Sequence, residues 1–556
     1  MQYNILMNRE VFILAGIVLL GTVLRIFNLS PFTIYPDSYQ NLIVSENIKT
    51  YGSVLGFMGK NGMLYPDYFM WTRPLFPLLI NAVSSIGVTP ILAARSIALL
   101  LGIFSIPLSY FLGKKIFSNS VSGLIAAFLL AISYNHTVWS GLLMTETTGV
   151  FFMLLFLLSF FATVEKKPAL FQLQNILTGV FFALAVFTRY EYLIIAIPVV
   201  FYTLKKSPKP LFYLTTIFGF AFITFLIFGL LLYPINSVVQ VILSQLSDLL
   251  TKILIVTIVA ILCFLVYRFS SVRLKRSFGR VLPMIVTFLL IILFFLFLPH
   301  ISDVSAQIFG IDVSIFNNFF YHDMLLSFFA FVGLLIMLKD KKQQNLSYFI
   351  IIAVVFLSFV YYQINPDMER YMTHLIPFLL IAAAYGIKNV FKTVVINQSK
   401  WRLILSSILI LFIALQIIIT ARGLRNLNDP SWFKLSYEQK SAQLTGKYIV
   451  DNPLLITSHP EPYFYFLHDD TQSIADSYPF IYIPSAQDMR TVVIVEDMGM
   501  RYDFPHFTKV LDTKLKNYQS AHFFVSEQYH YTNNSVKEES PVILYTIRLG
   551  TLRKKL

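Results

Sequence analysis

Apolar runs of spanning length recur along the chain at about 11–29, 91–112, 121–140, 147–163, 211–232, 252–267, 281–299, 324–338, 347–363, 372–387 and 403–420. A helix rises about 1.5 Å per residue, so runs of this kind match the hydrocarbon thickness of a bilayer. The stretch 174–204 is interrupted by Thr188-Arg189-Tyr190-Glu191. Charges in mid-run are expensive in hydrocarbon, so the interruption splits the stretch into two short spans and brings the expected total to about thirteen transmembrane helices. Between the first two spans, Ser38–Ile48 has a helical pattern, and an apolar segment from Arg73 to Ile86 is too short to cross. Past Thr420 the apolar runs shorten to strand length, at 454–457, 491–495 and 542–545, with helical patterns over 437–451 and 507–518. The pattern predicts a polytopic α-helical membrane domain over 1–420, with a large first outer loop at 30–90, followed by a soluble α/β domain over 421–556.

Composition agrees with this reading and closes off others. With 56% hydrophobic and 13% charged residues among 556, the chain is too apolar for an ordinary soluble protein. The net charge of +14 would suit nucleic acid. Its lysines and arginines, however, gather in short turns between apolar runs: Lys114/Lys115, Lys166/Lys167, Lys205/Lys206/Lys209, Arg268–Arg280, Lys339–Lys342 and Lys388–Arg402. Such turns are retained on the cytoplasmic side, beside anionic lipid, so no nucleic-acid partner is expected. Counting outward from them places the alternate loops and the C-terminal domain outside a cell membrane. The single cysteine, Cys263, lies within an apolar run and offers neither an intrachain disulfide nor a metal set. Arg9 precedes a first run longer than a signal core, which reads as a retained anchor.

Few groups in the outer loops can carry chemistry. Asp37, in Pro36-Asp37-Ser38-Tyr39, is a candidate general base, although Gln40 three residues on also fits a helix capping box. Glu146 opens the span after 141–145, where a helix N-terminus favours a carboxylate. Two acids at one membrane level could orient an acceptor hydroxyl or ligate a divalent cation, magnesium or manganese. Arg73, Arg189 and Arg370, the last followed by Tyr371, are candidates to hold a phosphate, because the guanidinium fork binds two oxygens at once. The plainer reading of each arginine is an interfacial anchor. His136, His322 and His374 read as satisfied interfacial residues.

The order of these features resembles the C-type glycosyltransferase (GT-C) superfamily: Tyr35-Pro36-Asp37-Ser38 opening the first loop, Arg73-Pro74-Leu75-Phe76-Pro77, the Gly113-Lys114-Lys115 turn, the acid within 140–147, and Thr188-Arg189-Tyr190-Glu191. The resemblance extends over about residues 9–390. It is closest to bacterial and archaeal relatives of protein O-mannosyltransferases and of the aminoarabinose transferase acting on lipid A. It implies a glycosyltransferase that takes sugar from a polyprenyl-phosphate donor, with inversion, and delivers it to a protein, lipid or glycan hydroxyl. Asp37 matches the family's first-loop acid, Glu146 its second, and Arg189 and Arg370-Tyr371 its lipid-phosphate contacts. The acidic pair usual in the mannosyltransferase branch is Asp37-Ser38 in this chain, and no Trp-Trp-Asp signature of oligosaccharyltransferases is present. A polytopic transporter or flippase is the alternative, but it calls for polar sites at the midplane and a repeat, whereas the acids lie at the outer boundary.

Overall fold

The computed structural model describes residues 2–27, 29, 36–51, 58–59, 62–63, 73–166, 172–232, 322–364, 369–397, 407 and 409–421, and five C-terminal strands between 454 and 548. The chain divides into two compact units: residues 1–29 with 95–424, and residues 30–94 with 425–556.

The larger unit is helical. Its elements are α1 (Gln2–Phe27), α4 (Pro90–Phe117, whose first residues lie in the other unit), α5 (Ser120–Ile132), α6 (Tyr134–Ser140), α7 (Glu146–Thr163), α8 (Leu173–Thr188), α9 (Ala196–Lys206), α10 (Pro210–Leu232), α11 (Met324–Lys339), α12 (Gln344–Ile364), α13 (Ile376–Asn397) and α14 (Leu409–Ala421). Two 3-10 segments, Tyr190–Ile195 and Glu369–Leu375, lead into α9 and α13. Among the described residues five helices are long and apolar enough to cross a membrane, or six if the bent pair α5 and α6 forms one span. Five more apolar helices are shorter, and the runs expected at 252–267 and 281–299 lie outside the described residues. Exposed Phe12, Leu19, Leu226, Ile410 and Leu411 form a surface suited to lipid.

The expected split of 174–204 is present: α8 ends at Thr188, the backbone is extended at Arg189 with φ −152° and ψ 106°, and the chain resumes as a 3-10 turn. The turn after Lys114 and Lys115 is also built as the sequence suggests. Asn119 caps α5 with its side-chain oxygen 2.8 Å from the Val121 amide, and Ser118 takes a left-handed φ of 48°. Helices α11 and α13 pack through glycine: a Cβ on Gly386 would lie 2.5 Å from the Phe329 carbonyl oxygen, so only hydrogen allows the backbones to come this close. At the far end of this pair the Tyr385 hydroxyl donates to Asp340 at 2.7 Å, a bond that holds the Asp340 carboxyl below the ordinary carboxylate range.

One expectation is corrected. The run 121–140 is not a single straight span: it bends by 60° between α5 and α6, at Ser133. A break exposes the last carbonyls of one helix and the first amides of the next, and both need partners. The guanidinium of Arg25, fully buried, donates to Leu130 and Ala131 carbonyls at 3.1 and 3.4 Å and contacts His136 Nδ1 at 2.7 Å. Thr420 donates to the Ile132 carbonyl at 3.0 Å. On the other side, Asp323 accepts from the amides of Tyr134 (2.9 Å) and Asn135 (3.2 Å), the Ser133 hydroxyl (3.1 Å) and the Asn135 side chain (2.7 Å). A cation therefore closes the carbonyl end and an anion the amide end, as the helix dipoles require.

In the smaller unit, α2 (Pro36–Tyr51) packs on α3 (Leu75–Ser84), both where the sequence places helical pattern. Among the described residues the unit has a ladder of two short strands, β1 (Met58–Gly59) and β2 (Gly62–Met63), and a sheet of five, β3 (Leu454–Thr457), β4 (Ser473–Asp476), β5 (Thr491–Glu496), β6 (Ser520–Tyr529) and β7 (Glu538–Arg548). The sheet order is β4-β3-β5-β7-β6, with β3 parallel to β4 and β5, and β7 antiparallel to β5 and β6. The helices expected at 437–451 and 507–518 lie outside the described residues.

The helix break generates a prediction. Asp323→Ala removes four hydrogen bonds from a buried amide end and should lower unfolding free energy by about 2–4 kcal/mol, while Asp323→Asn loses about half as much. Thermal unfolding of the full-length protein in detergent measures both, and a wild-type midpoint for the alanine variant contradicts the capping role.

Candidate active site

Glu146 is the first residue of α7 and is completely buried. A carboxylate suits a helix N-terminus, but out of water it also needs a cation. Two are provided by distant parts of the chain. Arg189, at the break after α8 and 1% exposed, forms a salt bridge through one terminal nitrogen to Glu146 Oε1. Arg370, in the 3-10 segment before α13, has its Nε 3.8 Å from the same oxygen. Glu191 lies 3.9 Å from the other terminal nitrogen of Arg189.

Tyr371 completes the arrangement. Both guanidinium carbons, of Arg189 and Arg370, lie 5.0 Å from the centre of its ring, within cation–π range, and Arg370 donates to its hydroxyl at 3.2 Å. The two arginines thus share one aromatic ring and one carboxylate oxygen. The second oxygen, Oε2 of Glu146, is buried and has no hydrogen-bond partner among the described residues. Two guanidinium forks are thus gathered at one buried point, and a fork of this kind can bind two oxygens of an anion at once.

Four of the residues singled out in the sequence, Glu146, Arg189, Arg370 and Tyr371, therefore meet in one buried cluster. Asp37 occupies the second position of α2, and its side chain lies outside the described residues. Arg73, half-buried, directly precedes the turn into α3 in the smaller unit. Among the described residues no three His, Cys, Asp or Glu side chains are placed to hold a metal ion.

Two residues to which the sequence assigns no part in the site, Tyr192 and the histidine read as an interfacial residue, support the cluster. Tyr192 and His374 are fully buried, with the Tyr192 hydroxyl 2.6 Å from His374 Nδ1 and their rings edge to face at 88°. The signal in the sequence is the spacing of Arg189 and Tyr192, three residues apart, which the structure closes by a 3.0 Å bond from the Tyr192 amide to the Arg189 carbonyl. Asp323, in sequence, reads only as an interfacial neighbour of His322.

Comparison with known proteins places this geometry in context. Residues 72–233, which include Arg73, Glu146 and Arg189, match the family described as dolichyl-phosphate-mannose-protein mannosyltransferase. No curated protein matches the chain in sequence. Among solved structures the chain is similar to the oligosaccharyltransferase of Archaeoglobus fulgidus, tethered with an acceptor peptide containing the NVT sequon, with a TM-score of 0.58 and 14% identity over 95% of this chain and 74% of that one. It is also similar to ArnT from Cupriavidus metallidurans bound to undecaprenyl phosphate, with a TM-score of 0.46 and 11% identity over 96% and 97% of the two chains. The resemblance to the C-type glycosyltransferase superfamily is met both by the family match and by the fold.

The cluster also sets a stability expectation. Arg189→Ala removes the closest counter-charge of a buried carboxylate and should cost about 3–5 kcal/mol. Arg189→Lys keeps the charge without the fork and should cost clearly less. Equal unfolding midpoints for the two variants would contradict the arrangement.

Proposed function

We propose that this protein is a multi-pass membrane glycosyltransferase of the cell membrane. It transfers a sugar from a polyprenyl-phosphate-linked donor to an acceptor hydroxyl of a protein, lipid or glycan on the outer side. The observation that carries the reading is the buried Glu146–Arg189–Arg370–Tyr371 cluster. It gathers two guanidinium groups at the point where two 3-10 segments meet the start of a transmembrane helix. The family matched by residues 72–233 is named for a dolichyl-phosphate sugar, which supports a donor of this class.

In this reading the donor phosphate lies against Arg370 and Arg189, with Glu146 fixing both guanidinium groups rather than touching substrate. Asp37 accepts the proton of the incoming hydroxyl. The hydroxyl oxygen forms its bond to the anomeric carbon from the face opposite the phosphate. The carbon–oxygen bond to phosphate breaks, and its electron pair leaves with the lipid phosphate. Attack from the opposite face inverts the sugar configuration. Positive charge held ready for a departing phosphate lowers the barrier because it needs no reorganisation as charge develops. Orientation follows from the basic helix ends, with Lys114, Lys205, Lys206 and Lys339 in the cytoplasm.

Two variants of the full-length protein test this. Asp37→Asn should reduce sugar transfer by about a hundredfold or more while leaving donor binding within about twofold. Arg370→Ala should weaken binding of a polyprenyl-phosphate lipid by about ten- to a hundredfold. Unchanged transfer in the first variant would remove Asp37 from the chemistry, and unchanged binding in the second would remove the cluster from the donor site.

A further inference from the structure

We infer that Tyr192 and His374 are positioning residues for the donor-phosphate site, a role that rests on the reading of Arg189 and Arg370 as phosphate ligands. The geometry has two tiers. In the upper tier Glu146 meets Arg189 and Arg370. One helical turn further along α7, Gly149 lies against the second tier: a Cβ there would come within 3.2 Å of His374 and 3.3 Å of Tyr192.

Each arginine thus has a lower-tier partner close by in the chain: Tyr192 on the 3-10 segment that Arg189 caps, and His374 on the segment that holds Arg370. Arg189 is three residues before Tyr192, and Arg370 is four before His374. Only three or four residues of backbone separate each arginine from its partner, so a fixed partner limits where the arginine's Cα can lie. The hydrogen bond between the Tyr192 hydroxyl and His374 Nδ1, 2.6 Å long and wholly buried, joins the two segments directly. Ile195, Met372, Leu375 and Ile376, beside the bonded pair in the chain, are all buried apolar residues. Glu146 draws one guanidinium from each segment to a common oxygen, and the tyrosine–histidine bond ties the same two segments together one tier lower. It therefore sets the separation of the two forks, and with it their match to a single phosphate.

The test uses the full-length protein in detergent, undecaprenyl phosphate as the titrated probe, and Arg370→Ala as reference. Tyr192→Phe, which removes one oxygen, and His374→Ala should each weaken binding by about tenfold. The double variant should lose no more than about the larger single loss, because both remove the same bond. His374→Asn, whose amide oxygen falls near the Nδ1 position, should recover most of the affinity. In a transfer assay the loss should appear mainly in KM for the donor. Wild-type binding by Tyr192→Phe while Arg370→Ala binds poorly would overturn the positioning role and leave the donor site standing. Additive losses would show that the two side chains act independently, and a failure of His374→Asn to restore binding would show that the shared bond is not what matters; either would also overturn it. If Arg370→Ala binds as wild type, the donor-site reading falls and this inference falls with it.

Discussion

A carboxylate excluded from water is the constraint around which the larger unit is arranged. Glu146 is fully buried at the start of α7 and is tolerable there only with cations at hand. Those cations, Arg189 and Arg370, come from positions 43 and 224 residues further along the chain, which ties three separate pieces of the bundle to one point. Each piece departs from regular α-helix where it meets that point. Helix α8 stops, the backbone extends at Arg189, and both following elements begin as 3-10 turns. Irregular backbone inside an apolar bundle is sustainable because it is buried in protein.

The break between α5 and α6 follows the same logic with the charges further apart. Arg25 from α1 takes the exposed carbonyls, and Asp323, at the head of α11, takes the exposed amides. Asp323 makes no side-chain cap to its own helix, so its hydrogen-bonding capacity is committed to α6. Only residues 141–145 separate α6 from Glu146, and a fixed direction for α6 constrains the approach to the cluster. Stability and site geometry are in this way set by the same buried polar groups, while the glycine crossing of α11 with α13 supplies close apolar packing below them.

Much of this is readable from residue pattern. The interruption at Thr188-Arg189-Tyr190-Glu191 stands out because two charges in the middle of an apolar run cost too much in hydrocarbon to sit there without a buried partner. Glu146 is marked by its place at a helix start, and strands β3, β5 and β7 by short apolar runs. The bend at Ser133 is not readable: Ser133-Tyr134-Asn135-His136 has neither proline nor glycine, and the partners that make it possible, Arg25 and Asp323, are 108 and 190 residues away. His374 and Tyr192 escape for a related reason, since each looks like an ordinary membrane-boundary residue until the fold pairs them. Strands β4 and β6, Ser473–Asp476 and Ser520–Tyr529, are too polar to stand out from their surroundings.

The account turns on where a lipid phosphate comes to rest. A structure of the full-length protein with a polyprenyl-phosphate lipid bound would locate it directly. The account predicts phosphate oxygens within hydrogen-bond reach of Arg370 and Arg189, beside the ring of Tyr371, with Glu146 still paired to Arg189. A headgroup seated elsewhere, with the two guanidinium groups untouched by it, would contradict the central claim.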